Sequence, residues 1–173
     1  MPDIMLLHPE DAARWLPQLI GLLQDAVDSG PSVGFLAPLS DGQPRQYWTK
    51  VFAQVGERTR IVLAAVHSGA IVGSVQLDLA SMPNALHRAE VQKLLVLRPW
   101  RRQGTGQELM TAVEHAARKA ARQLLVLDTR LGDAAERLYS RMGYRRVGVI
   151  PKFASNSAGG LDATVIFYRD LSS

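Results

Sequence analysis

Residues 96 to 106 join an apolar, strand-like run to a helical pattern through a loop that combines Gly104 and Gly106 with Arg98, Arg101 and Arg102. Glycines let the chain bend and let backbone N–H groups approach an anion closely, while the open amides and dipole of the helix that follows favour negative charge. The spacing Arg101-x-x-Gly104-x-Gly106 therefore suits a ligand that carries a pyrophosphate. What the loop lacks narrows the choice. A nucleotide triphosphate loop places Lys followed by Ser or Thr directly after its last glycine, and no such pair follows Gly104 or Gly106. The dinucleotide fingerprint would put a third small residue where Leu109 stands, so NAD is a weak alternative even though Asp128 lies near the distance of its sugar-binding acid.

Beyond the loop, roughly residues 60 to 170 resemble the GNAT superfamily of N-acetyltransferases, whose acetyl-CoA loop reads Gln/Arg-x-x-Gly-x-Gly/Ala between a strand and a helix. Leu94-Leu95-Val96 looks like the family's fourth strand, Gln107 to Ala121 like the helix after the loop, and residues 123 to 128 like the fifth strand. Ala134-Ala135-Glu136-Arg137-Leu138-Tyr139 followed by Met142-Gly143-Tyr144 matches the family's Ala-x-x-Leu-Tyr and Gly-Phe/Tyr signature. Within the family, residues 87 to 94, 127 to 129 and 148 to 171 look most like the tabtoxin-resistance acetyltransferases.

The resemblance implies acetyl-CoA as co-substrate. It would be held by Leu95, Val96 and Leu97 at the strand end and by Arg101, Arg102, Gln103, Gly104, Thr105, Gly106 and Gln107 in the loop and first helical turn. Two departures from the family pattern stand out: Gly132 occupies the position where many relatives carry a coenzyme-contacting Asn, and Pro99 lies one place later than the usual proline.

Acetyl transfer to an amine needs a neutral nucleophile, yet an alkylamine with a pKa near 10.4 is only about one part in a few thousand unprotonated at pH 7. A positioned base contributes roughly 10²–10⁴-fold in such reactions. By the resemblance Glu90, at the start of the strand leading into the loop, is the first choice of base. By strand parity it shares a face with Gln92, Leu94 and Val96, and Lys93 points the other way. Asp128 closes the fifth strand where the family's fourth and fifth strands splay apart, so it would hold the acceptor ammonium or relay its proton. Tyr139, the tyrosine of the signature, would protonate the departing CoA sulfur, and a backbone N–H near Val96 would meet the oxyanion. The plainer readings are that Asp128 caps the turn before Gly132, Glu90 pairs with Arg88 on the surface, and Tyr139 is a buried helix aromatic.

The chain has 173 residues, 47% hydrophobic and 21% charged, which suits one globular domain spanning residues 1 to 173. With no cysteine, disulfides, thiolate metal sites and a Cys acyl intermediate are excluded, so acetyl would pass directly to the acceptor. The histidines His8, His67, His87 and His115 show no metal-ligand spacing, and no metal is expected. The acids and proline in the first ten residues do not read as a secretory leader, and no apolar run approaches the roughly 20 residues of a membrane span, so a cytoplasmic protein is expected. The net charge of +4 is dispersed and not interleaved with aromatics, which argues against nucleic acid; a homodimer is left open.

Apolar spacing from Ala12 to Val27 predicts an amphipathic helix, and residues 29 to 43 read as a loop. A second helix carries Tyr47, Val51 and Val55 on one face. By the resemblance this region covers the acceptor site, which makes Phe35, Tyr47 and Trp48 candidates for its lining. Strands follow at 60 to 66 and 70 to 79, with later ones at 144 to 149 and 163 to 168. The class is α/β (α+β type), with a mixed, mostly antiparallel sheet, helices on both faces and the splayed strand pair at the acetyl-CoA site. The function expected is N-acetylation of a small-molecule amine, an amino-acid-like toxin or antibiotic. A protein or peptide acetyltransferase and a non-catalytic acyl-CoA-binding module are the alternatives.

Overall fold

A computed structural model describes residues 1–30, 33–40 and 42–172. Residues 31, 32 and 41 of the expected loop lie outside the described residues. The elements in chain order are β1 (Asp3–Leu6), α1 (Ala12–Asp28), α2 (Gly42–Gly56), β2 (Arg60–His67), β3 (Ala70–Leu79), β4 (Arg88–Val96), α3 (Thr105–Lys119), β5 (Leu124–Arg130), α4 (Ala134–Arg141), β6 (Arg145–Ser155) and β7 (Leu161–Asp170). Among the described residues seven strands form one sheet in the order β1-β2-β3-β4-β5-β7-β6, in which only β4 and β5 run parallel. This is the expected mixed, mostly antiparallel architecture.

The period-2 pattern of the central strands explains why both sheet faces are covered. In β2, Leu63 and Ala65 join the core under α3 and α4, while Val62 and Ala64 join the opposite core under α1 and α2. On α3 the stripe Leu109, Met110, Val113 and Ala117 is wholly buried, and each such Leu or Val side chain contributes about 1.5–3 kcal/mol. Gly73 on β3 sets how close that helix lies: a Cβ there would stand 2.9 Å from the Leu95 carbonyl oxygen and 3.1 Å from Leu109 Cδ1. The absence of a side chain thus seats the start of α3 directly over the β3–β4 pair.

Two strands depart from the sequence expectation. β1, four residues long and paired only with β2, has too little alternation to be read from sequence. β6 continues past Val149 to Ser155, through residues expected to be loop, with a break in register between Ile150 and Ala154 that absorbs Pro151. An edge strand tolerates this because one of its sides has no ladder to interrupt.

Candidate functional site

The cradle is built as its residue types dictate. Gly104 is the N-cap of α3 at φ +92°, a conformation that costs an L side chain, and it offers no side chain to cap the helix. The first amides of α3 therefore have no side-chain cap, the condition under which a helix N-terminus can receive an anion. Gly106 keeps the next turn low: a Cβ there would lie 3.5 Å from Leu138 Cδ2. Thr105 is 1% exposed, and its Oγ1 has no hydrogen-bond partner among the described residues. It faces the sheet, so what it can present to a ligand is its backbone.

Two of the three arginines are committed elsewhere. Arg98 Nε lies 2.7 Å from Asp25 Oδ1. Arg101 donates from Nε to the Val96 carbonyl at 2.8 Å and from Nη2 to Ser29 Oγ at 2.7 Å, with Asp25 Oδ2 at 3.5 Å. Its guanidinium thus ties the end of β4 to the end of α1. Arg102, exposed and at φ +59°, keeps a guanidinium without an ion pair among the described residues. Gln103 donates to the Pro99 carbonyl at 2.6 Å, and Gln107 is exposed on the first turn of α3.

The strands beside the cradle part as expected. β4 and β5 pair only from Arg88, Ala89 and Glu90 to Leu124, Leu125 and Val126. Further along, β4 bonds only to β3 and β5 only to β7. Leu97 N–H donates to Val72 on β3 at 2.9 Å, and Leu95 lies opposite Ser74. Because successive N–H groups of a strand point to opposite edges, that of Val96 points into the splay. Asp128 and Glu90 both line a cleft of about 320 Å³ at this opening, and Tyr139 of α4 lines it as well. The structure thus brings all three candidate catalytic residues to one cleft.

Their surroundings differ. Glu90 is exposed and forms no ion pair with Arg88 among the described residues. Asp128 Oδ2 lies 2.6 Å from Thr164 Oγ1 of β7, which is also 2.9 Å from the Thr129 carbonyl, so the hydroxyl proton has two acceptors. That strand-to-strand contact, rather than capping of the turn before Gly132, orients the carboxylate. Gly132 N–H is met instead by Glu136 Oε2 at 2.9 Å. Tyr139 is 5% exposed, with its ring 6.0 Å from that of Phe167. Burial, reinforced by Asp128 and Asp133, raises its phenol well above the ordinary tyrosine range.

The parity argument for β4 is overturned. Ser74 pairs with Leu95 and Gln76 with Gln92, so Val75 faces two residues, and Lys93 takes φ +50° in the resulting bulge. The extra residue swaps the faces: Ala89 and Val91 lie in the core under α3, but past the bulge it is Leu94 and Val96 that pack there, while Leu95 turns to the other core. Glu90 does not share a face with Leu94 and Val96, and Lys93 lines the same cleft as Glu90. Only pairing with β3 reveals a bulge, so an alternating apolar pattern could not have found Lys93.

The aromatic candidates divide. Trp48 is fully buried in the core, so it does not line the acceptor site. Tyr47 is half-buried; its hydroxyl donates to Gln76 Oε1 at 2.9 Å, and Phe35 packs edge-on against its ring at 5.4 Å. Beneath Tyr47 lies a polar cluster that the sequence did not announce. Arg60, 8% exposed, donates to Gln76 Oε1 at 2.8 Å and Gln92 Oε1 at 2.9 Å and bonds Asp78 Oδ2 at 3.1 Å. Among the described residues, no group of three or more His, Asp or Glu stands close enough to hold a metal ion, and no helix is long and apolar enough to cross a membrane.

Comparison with known proteins agrees with this architecture. An 87-residue stretch, 47% of the chain, is 37% identical to the aminoalkylphosphonate N-acetyltransferase of Salmonella typhimurium and spans 54% of that relative. The chain thus matches about half the length of this curated relative. Over 98% of its length it superposes on 99% of the ribosomal-protein-alanine N-acetyltransferase from Brucella melitensis, with a TM-score of 0.78 at 19% identity. It also superposes, over its whole length, on 95% of a Salmonella typhimurium protein whose structure holds its cofactor acetyl-CoA, with a TM-score of 0.75 at 13% identity. At these identities the superpositions establish the fold. Residues 58–146 match the acetyltransferase (GNAT) domain, a family that uses acetyl-CoA, and this chain belongs to it.

Proposed function

We propose that the chain is an acetyl-CoA-dependent N-acetyltransferase that transfers acetyl directly to the amine of a small molecule, an amino-acid-like toxin or antibiotic of the tabtoxin kind. The observation that carries the reading is the adjacency of two sites: a glycine-capped helix N-terminus opens beside the splayed end of β4, and the cleft in that splay holds Glu90, Asp128 and Tyr139. A cleft of about 320 Å³ suits a compact amine rather than a protein chain. The aminoalkylphosphonate relative points to the same substrate size.

The residues present fit acetyl-CoA. The pyrophosphate would be held by the backbone N–H groups of Gly104, Thr105 and Gly106 with help from the free Arg102, and the strand end from Leu95 to Leu97 would lie beside the pantetheine. When bound, the coenzyme supplies an acetyl group activated as a thioester. Glu90 takes the proton of the incoming ammonium, and Asp128, steadied by Thr164, holds that ammonium at the cleft mouth. The Val96 N–H directs a hydrogen-bond donor into the splay, where negative charge develops on the acyl oxygen. Burial keeps the Tyr139 phenol protonated, so its O–H can donate a hydrogen bond to the departing thiolate, while the raised pKa disfavours complete transfer of that proton. With no cysteine in the chain, no thiol of the protein carries the acetyl group.

The test is release of free CoA thiol from acetyl-CoA in the presence of amino acids, polyamines, aminoglycosides and β-lactam-containing dipeptide toxins. Turnover is expected with amino-acid-like amines. Glu90→Gln should lower kcat at least tenfold while leaving acetyl-CoA binding nearly unchanged. Turnover unaltered across pH would remove Glu90 from the mechanism, and acetylation confined to peptides would favour a protein acetyltransferase.

A further inference from the structure

We propose that Lys93 selects an acceptor that carries an anionic group, a carboxylate or a phosphonate, together with the amine that is acetylated. The inference rests on the acetyl-transfer reading above and names the substrate class for the same cleft.

The β4 bulge turns Lys93 into the cleft that Glu90 and Asp128 also line. Among the described residues its ammonium has neither a hydrogen-bond partner nor an ion pair. Its neighbours are the Tyr47 ring, whose centroid is 5.7 Å from Nζ, and Gly34, where a Cβ would stand 3.2 Å from Nζ. A half-buried charge left in this state costs free energy unless a partner arrives. Other charged groups nearby are already engaged. Arg60 is held by Gln76, Gln92 and Asp78, while Arg130 bonds Asp133 at 2.7 Å and lies 3.5 Å from Asp162. Asp128 leans on Thr164.

Apart from the engaged Arg130, Asp133 and Asp162, the cleft offers two carboxylates without an ion pair among the described residues and one uncommitted cation, a pattern that matches a zwitterion: ammonium toward Glu90 and Asp128, anion toward Lys93. An amine with a neutral tail would leave Lys93 unmet, and a polyamine would set a second cation against it. Burial, and then the Arg60 charge, lower the Lys93 pKa from its ordinary value, with Asp128 and then Glu90 opposing the shift. That balance agrees with an ammonium that its own carboxylates do not fully compensate.

The test measures thiol release by the full chain for matched amines: alanine against alaninamide for a carboxylate, and 2-aminoethylphosphonate against ethanolamine for a phosphonate. Wild type should prefer at least one acidic member over its neutral partner by tenfold or more in kcat/KM, and the pair that discriminates identifies the anion. Lys93→Met should remove that preference through KM, Lys93→Arg should restore part of it, and the Tm of Lys93→Met should not fall. Lys93→Gln serves as a second variant if the methionine form is insoluble. Equal turnover within both pairs by wild type, or a preference that survives in the folded Lys93 variants, overturns the assignment of Lys93 and leaves acetyl transfer standing. Thiol release from none of the amines in the wider screen, despite acetyl-CoA binding, overturns acetyl transfer itself and the Lys93 inference with it.

Discussion

The proposed coenzyme cradle and acceptor cleft sit side by side but are made by opposite means. The cradle is one continuous stretch of chain whose working parts are backbone amides, and its glycines act by what they lack. The cleft is made of residues from β4, β5, β6, β7, α4 and the loop before α2, gathered by a bulge and a splay that exist only once the sheet is formed. A contiguous backbone site tolerates changes that keep its conformation and fails when that conformation is denied. A dispersed side-chain site fails one functional group at a time.

The sharpest break of this comparison is in the cradle. Gly104→Val forces a β-branched side chain into the left-handed region, so acetyl-CoA affinity should fall at least tenfold by calorimetry, with a stability loss of about 1–2 kcal/mol by denaturant titration. Gly106→Ala should do far less, because its Cβ meets Leu138 at an ordinary contact distance of 3.5 Å. Equal damage from both would mean that space, not backbone conformation, defines the cradle.

Next in size is Tyr139→Phe, expected to lower kcat by roughly tenfold, less than the roughly 10²–10⁴-fold of a full general acid or base. It also carries a pH signature. The folded-state pKa of Tyr139 is raised above its ordinary 10.0, so the stability it contributes is intact below that pH and is lost as pH climbs toward the folded value. Wild type should therefore lose stability above about pH 10 more steeply than the variant does. A normal rate with a normal alkaline limb would leave Tyr139 only a packing role. The smallest effect should come from Thr164→Val, which deprives Asp128 of one hydrogen bond. At about 1 kcal/mol for such a bond, kcat/KM should fall roughly fivefold with acetyl-CoA affinity unchanged.

The sequence was most informative where neighbours along the chain do the work. Gly104 and Gly106 at the start of α3, the helix expected at Gln107 to Ala121, and the Ala134-to-Tyr139 segment appear in the structure close to where they were expected. Glu90 and Asp128 were legible as candidates because each lies on a strand leading to the expected splay. Lys93, Thr164 and the Arg60 cluster were not. Lys93 was set on the wrong face because a one-residue bulge inverts the alternation from which orientation is read. The polar positions Gln76 and Gln92 give no hint from their own segments that Arg60 will span them, since all three come from different strands.

By itself, then, the sequence determined local geometry: where glycine permits a turn, where an apolar stripe demands a helix, and which segment can offer bare amides to a phosphate. These follow from short-range sterics and hydrogen bonding, which residues a few positions apart settle among themselves. The tertiary structure alone decided which charges share the cleft and which remain unspent. Electrostatic pairing depends on distances between segments far apart in the chain, and those distances are set by strand register, by the β4 bulge and by the close seat of α3 over Gly73.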